Sequence, residues 1–225
     1  MKNLFLIVLL LIWSVSFSQD EKNNNAEALA QKLANPIASL ISVPFQQNMD
    51  FGIGDLNGSR YTVNIQPVLP FQLSENVILI TRVVLPVVSQ YNITGVGESE
   101  TGLSDAVVTA FLSPTKSKIT WGVGPALLIP TGTDDFLTTK KFGIGPSAVA
   151  LVQSGANTYG VLVNQLWSVA GSSDRPDVNQ FFIQPFIAHN WASGAGVSFI
   201  AEYTQNWEAS QSTLWFPLLF QELQA

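Results

Sequence analysis

The chain contains no cysteine and a single histidine, His189. No disulfide can frame the fold and no thiol can serve as nucleophile or metal ligand. A histidine-based metal site would have to be completed by carboxylates alone. A Ser-His-Asp triad would have to recruit Ser193 or Ser198, and neither stands in a nucleophile-elbow pattern. Charge is also scarce. Only 12% of residues are Asp, Glu, Lys or Arg, about half the usual ~25% share. The formal charge is −6, one unit more negative once Lys2 leaves with a leader, which argues against nucleic acid as a partner. After residue 13 no apolar run approaches the ~18–20 residues that a membrane-spanning helix needs. These absences leave no case for an enzyme, a cofactor, a metal centre or a helical membrane protein.

What is present is apolar residue diluted at every second position. Hydrophobic residues make up 47% of the chain, and mean hydropathy is +0.26. The one continuous apolar run, residues 4–13, follows Lys2 and precedes small residues at Ser16 and Ser18. A charged start, an apolar centre and a small-residue cleavage site predict a signal peptide over residues 1–18. Residues 19–38 read as a periplasmic lead-in. Within it, Leu29, Leu33 and several alanines at helical spacing predict a short helix over 26–34, ending before Pro36.

From residue 39 the pattern changes to alternation, with ten stretches predicted as strands: 39–50, 60–71, 76–88, 104–113, 119–130, 142–152, 158–168, 181–191, 197–207 and 212–220. The connections alternate as well. Those at 72–75, 114–118, 153–157 and 192–195 are tight, whereas 51–59, 89–102, 131–141 and 170–179 are longer. Tight turns on one side and long loops on the other are the loop order of an outer-membrane barrel. A secreted chain of membrane-like composition and no spanning helix has one other way to satisfy its backbone in lipid, a closed barrel. The predicted fold is therefore all-β: an antiparallel transmembrane β-barrel of about 10–12 strands over residues 39–225. The many prolines, among them Pro67, Pro86, Pro185 and Pro217, predict bulges or strand edges.

Alternation also assigns faces. Tyr61, Val63 and Ile65 oppose Thr62, Asn64 and Gln66; Val197, Phe199, Ala201 and Tyr203 oppose Ser198, Ile200, Glu202, Thr204 and Asn206. A charge facing lipid at mid-depth costs about 2–4 kcal/mol for Arg or Lys. Arg82 and Glu202 are thus expected to point inward, there to pair or to bond polar neighbours. The expected lumen-facing set is Thr62, Asn64, Gln66, Arg82, Glu202, Thr204 and Asn206. Stretch 158–168 has mixed faces and gives no orientation. Aromatic residues gather near stretch ends, where interfacial girdles belong. The pairs Gly52/Gly54, Gly95/Gly97, Gly122/Gly124 and Gly143/Gly145 do not extend to a phosphate-binding fingerprint and read as close strand packing. The repetition of Gly-Pro at Gly124 and Gly145 reads as a hairpin repeat.

Several local sequences are familiar as a set: residues 35–45 (NPIASLISVPF) with 51–54 (FGIG), 64–70 (NIQPVLP), Ile80-Thr81-Arg82, Leu85-Pro86, 102–105 (GLSD), 121–125 (WGVGP), Pro130-Thr131, 142–146 (FGIGP) and Gln184-Pro185-Phe186. Together they resemble the outer-membrane proteins grouped as the "MetA-pathway of phenol degradation" family, over most of residues 30–217. The resemblance implies a bacterial outer-membrane barrel admitting small hydrophobic or aromatic compounds, with no catalytic residues to transfer. Members continue for about two further strands and finish on an aromatic residue. This chain ends Phe220-Gln221-Glu222-Leu223-Gln224-Ala225, so the resemblance implies a barrel truncated at that end. The functional expectation is a passive transporter or pore whose partners are outer-membrane lipid, the barrel assembly machinery and an unspecified small solute. The alternatives are a structural or surface-interaction barrel with a filled lumen, or a periplasmic lipid-binding barrel.

Overall fold

A computed structural model describes residues 40–221 except 118, 192, 194 and 209, together with Leu29, Lys32, Asn35 and Pro36. The expected leader lies outside the described residues, as does most of the lead-in, of which Leu29 and Lys32 are helical. The strands are β1 (Phe45–Ile53), β2 (Gly58–Ile65), β3 (Val68–Gln72), β4 (Val77–Tyr91), β5 (Ser99–Leu103), β6 (Ala106–Pro114) and β7 (Thr120–Ile129). They continue as β8 (Lys141–Ser154), β9 (Asn157–Gly171), β10 (Asn179–Asn190), β11 (Gly196–Ile200), β12 (Glu202–Asn206), β13 (Gln211–Trp215) and β14 (Leu218–Gln221). They form one 14-stranded antiparallel sheet.

All of these segments but β5 fall on the ten predicted stretches, three of which are interrupted; β5, split from β6 around Ser104, falls on the connection predicted at 89–102. Proline accounts for the interruptions, since it has no N–H to return across a ladder. Pro67 separates β2 from β3, and Pro217 separates β13 from β14. The other two breaks lie opposite a proline. Ser104 N–H, between β5 and β6, donates to Pro86 O, and Ala201 N–H, between β11 and β12, donates to Pro185 O. The Gly-Pro repeats meet as a cross-strand pair, Pro125 facing Pro146 and Gly124 facing Ser147.

Connections are shorter than the sequence predicts where strands run on. The connection expected at 51–59 shrinks to residues 54–57, and Asn57 and Gly54 take positive φ there. The connection expected at 89–102 shrinks to 92–98, because β4 continues to Tyr91 and β5 pairs with it. The connection at 130–140 remains long.

Along the sheet the path is β1-β2-β4-β6-β7-β8-β9-β10-β11-β14, with β3 and β5 on β4, and β12 between β10 and β13. It curls so far that Gln46 of β1 reaches Glu202 of β12. Among the described residues the sheet stays open, since no ladder joins β1 to β13 or β14. Inside the curl, toward the tight turns, Val68, Ile78, Ile80, Phe111, Val149, Leu151 and Leu162 pack with Phe182 and Phe186. Near the longer connections Ala126, Leu128, Leu166 and Val178 form a second cluster with Val107. Burying each large side chain contributes about 1.5–3 kcal/mol. Stretch 158–168 had no legible orientation because Leu162 and Leu166 feed these clusters while Val161 and Val163 lie on the outer face.

Candidate functional site

Between the two apolar clusters lies a cavity of about 220 Å³ lined by both polar and apolar side chains. Of the seven predicted lumen residues, Asn64, Gln66, Arg82, Glu202 and Thr204 line it. Thr62 is buried on the same face of β2, and Asn206 sits opposite Gln180 at the far end of β12. Arg82 and Glu202 form no ion pair. A run of amides connects them instead. The Arg82 guanidinium donates to Gln66 Oε1 at 2.7 Å, and Gln66 Nε2 donates to Gln46 Oε1 at 3.0 Å. Gln46 Nε2 then donates to Glu202 Oε1 at 3.3 Å, and Gln184 Nε2 reaches that same oxygen at 2.8 Å. Each amide dipole in the run points its oxygen toward the cation and its N–H toward the anion, so the run stabilises both half-buried charges.

Sequence reasoning missed Gln46 and Gln184. Gln46 is followed by Gln47, so composition could not say which of the two faces inward. Gln184 lies between the inward Phe182 and Phe186 and so had no polar face to announce it. Also unforeseen were Thr109, Asn164 and Gln180 in the wall. Register brings Thr109 opposite Arg82.

A second polar row crosses four strands nearer the long connections. Asp50, Arg60, Gln90 and Glu100 are successive cross-strand partners. Arg60 donates twice to Gln90 Oε1, at 3.1 and 2.9 Å, and Gln90 Nε2 donates to Glu100 Oε2 at 3.0 Å. The Thr94 hydroxyl donates to the other Glu100 oxygen. One oxygen of Asp50, beside Arg60, is buried without a hydrogen bond.

The connection after β7 folds onto the inner face at the break between β5 and β6. Asp105 is buried there and accepts from Gly132 N at 3.2 Å, Thr138 Oγ1 at 2.6 Å, and Thr139 N and Oγ1, both at 2.6 Å. Leu137 is buried, and its carbonyl accepts from Ser104 Oγ. Two acidic residues of the connections are bound by lysines. The hydrogen bond from Lys140, with Arg175 farther off, holds the Asp135 carboxyl below the usual carboxylate range. Hydrogen bonds from Lys141 and Ser168 do the same for Asp177. His189 holds Asn157 Oδ1 at 2.8 Å through Nδ1 and meets Trp191 edge-on.

The charged residues of the described strands are Asp50, Arg60, Arg82, Glu100, Lys141 and Glu202. All six have inward parity. The outer face carries none. It exposes instead Leu69, Leu112, Val123, Ile144 and Ile187, with Phe71, Trp121, Tyr159 and Trp191 toward the tight turns and Tyr91, Phe142, Trp167 and Trp207 toward the other end. The class defined is a curled antiparallel sheet whose inner face carries all the strand charges between apolar clusters, with an uncharged, aromatic-edged exterior. No family model, curated protein or solved structure matches the chain.

Proposed function

We propose that the protein works in the bacterial outer membrane as a barrel that admits small solutes to its central cavity, the role implied by its resemblance to the MetA-pathway proteins. One observation carries this reading: every charge on the described strands points inward, and the outer face has only uncharged residues. A soluble sheet gains from charge on its exposed face, whereas lipid penalises it. The aromatic belts add support. Tyr159 and Trp167 are eight residues apart on β9, about 26 Å along a strand and about 20 Å along the membrane normal at a tilt of ~35–45°, the order of the ~25 Å apolar band of an outer-membrane barrel.

The test is fractionation followed by reconstitution. The protein should require detergent for release and should make vesicles permeable to small solutes. Release from the periplasm without detergent would replace this reading with a soluble lipid-binding barrel. A second reading, a filled barrel that binds a partner through its outer connections, draws on the apolar cluster around Phe111 and on the inward fold of 131–141. Retained partner binding without any solute permeability would favour it.

A further inference from the structure

Resting on that reading, we infer that the cavity selects small zwitterions of the amino-acid type, with Arg82 receiving the carboxylate and Glu202 the ammonium group. Two opposite charges face one cavity without pairing. Each retains unused hydrogen-bonding capacity among the described residues. The Arg82 side chain spends one N–H on Gln66, and Glu202 engages only Oε1. The fixed charge of the lining sums to zero, so a solute of net charge would leave one half-buried charge uncompensated. A solute carrying both charges completes both ends.

An uncharged polar solute would be served by amides alone, and the wall has these in Asn64, Asn164 and Gln180. The separated charges add what only a dipolar solute uses. The volume of about 220 Å³ admits a small amino acid, and Phe182, Leu166, Val84 and Val107 give its side chain an apolar wall.

The full chain, refolded into phosphatidylcholine vesicles, should be tested for uptake of alanine, ethanesulfonate, guanidinium and erythritol. Alanine should enter several-fold faster than either ion, because each ion leaves one charge of the cavity uncompensated, and faster than erythritol. Glu202→Gln should shift preference to ethanesulfonate and Arg82→Gln to guanidinium. If the single variants do not fold, the exchange Arg82→Glu with Glu202→Arg should restore alanine preference. Uptake of either ion or erythritol as fast as alanine overturns the inference and leaves the barrel reading intact. If no solute enters, alanine binding in detergent decides. Binding that weakens in both single variants supports the site while removing transport, and absence of binding removes both.

Discussion

Gly124 and Gly145 have no room for a side chain. A Cβ on Gly124 would sit 1.8 Å from Ala110 O, and one on Gly145 would sit 1.8 Å from Gln165 O. Both obstacles are backbone, which cannot rotate away. They stand beside the paired Pro125 and Pro146, where the ladders from β7 to β6 and from β8 to β9 are interrupted, and this accounts for the Gly-Pro repeat in the sequence. Gly124→Ala and Gly145→Ala should each cost about 1–3 kcal/mol or more, the range for overpacking a fixed site, measured by thermal or denaturant unfolding. Gly160 differs. A Cβ there would meet the Phe186 ring at 2.3 Å and Leu151 Cβ at 2.8 Å, side chains rather than backbone, so Gly160→Ala should cost less than Gly124→Ala. Equal costs would show that the backbone beside the paired prolines is not rigid.

At the scale of elements, the connection after β7 is a strap tied to one carboxylate. Hydrogen bonds to a charged group contribute about 1.5–3 kcal/mol each, and Asp105 accepts four. Asp105→Ala should free the strap, and chymotrypsin should then cut at the exposed Phe136 much faster than in the native protein. Unchanged cleavage would mean that Leu137 burial alone holds it. Acid should loosen the same region. Asp135 and Asp177 have folded-state pKa values below the ordinary 3.8. Their ion pairs with Lys140 and Lys141 are therefore fully present above about pH 4 and are lost as pH falls through the depressed values. Hydrogen exchange in residues 132–140 and 172–178 should be constant from neutral pH to about 4, after correction for intrinsic rates, and should rise below 3.8. Both carboxylates are solvent-exposed, so the change should be local.

For the whole molecule the decisive variable is what covers the outer face. Val163 lies on the outer face of β9, paired with Ile183 and Ala148. Lysine there should cost about 2–4 kcal/mol if the site faces mid-bilayer and almost nothing if it faces water. Equilibrium folding of Val163→Lys into lipid bilayers measures the difference, and a near-zero cost would sink the membrane reading. Orientation has its own test. The chain has no cysteine, so an impermeant thiol reagent on intact cells should label a cysteine at Asp135 or Asp174 and leave Ser154 and Ser193 unlabelled. The reverse pattern would invert the topology, and labelling at all four sites would indicate a soluble secreted protein.

The sequence by itself determined every strand but β5, and the faces of the strands that alternate. Period-two alternation is a local property of the pleat, so Thr62, Asn64, Gln66, Arg82, Glu202 and Thr204 could be placed on one side before any fold was known. Charge scarcity was enough to orient Arg82 and Glu202. Tertiary structure alone decided which of these residues meet. Gln46 and Glu202 are neighbours because the curvature of every intervening strand adds up across the sheet, a sum that no local window contains. The breaks at Ser104 and Ala201 depend on prolines in other strands, Pro86 and Pro185, and so on register. The apolar clusters around Phe111 and Leu166 hid from pattern reading because strands that are apolar on both faces lose the alternation that identifies a side. The fold of 131–141 onto Asp105 likewise depends on a carboxylate far away in the chain, brought within reach only once β5, β6 and β7 are paired.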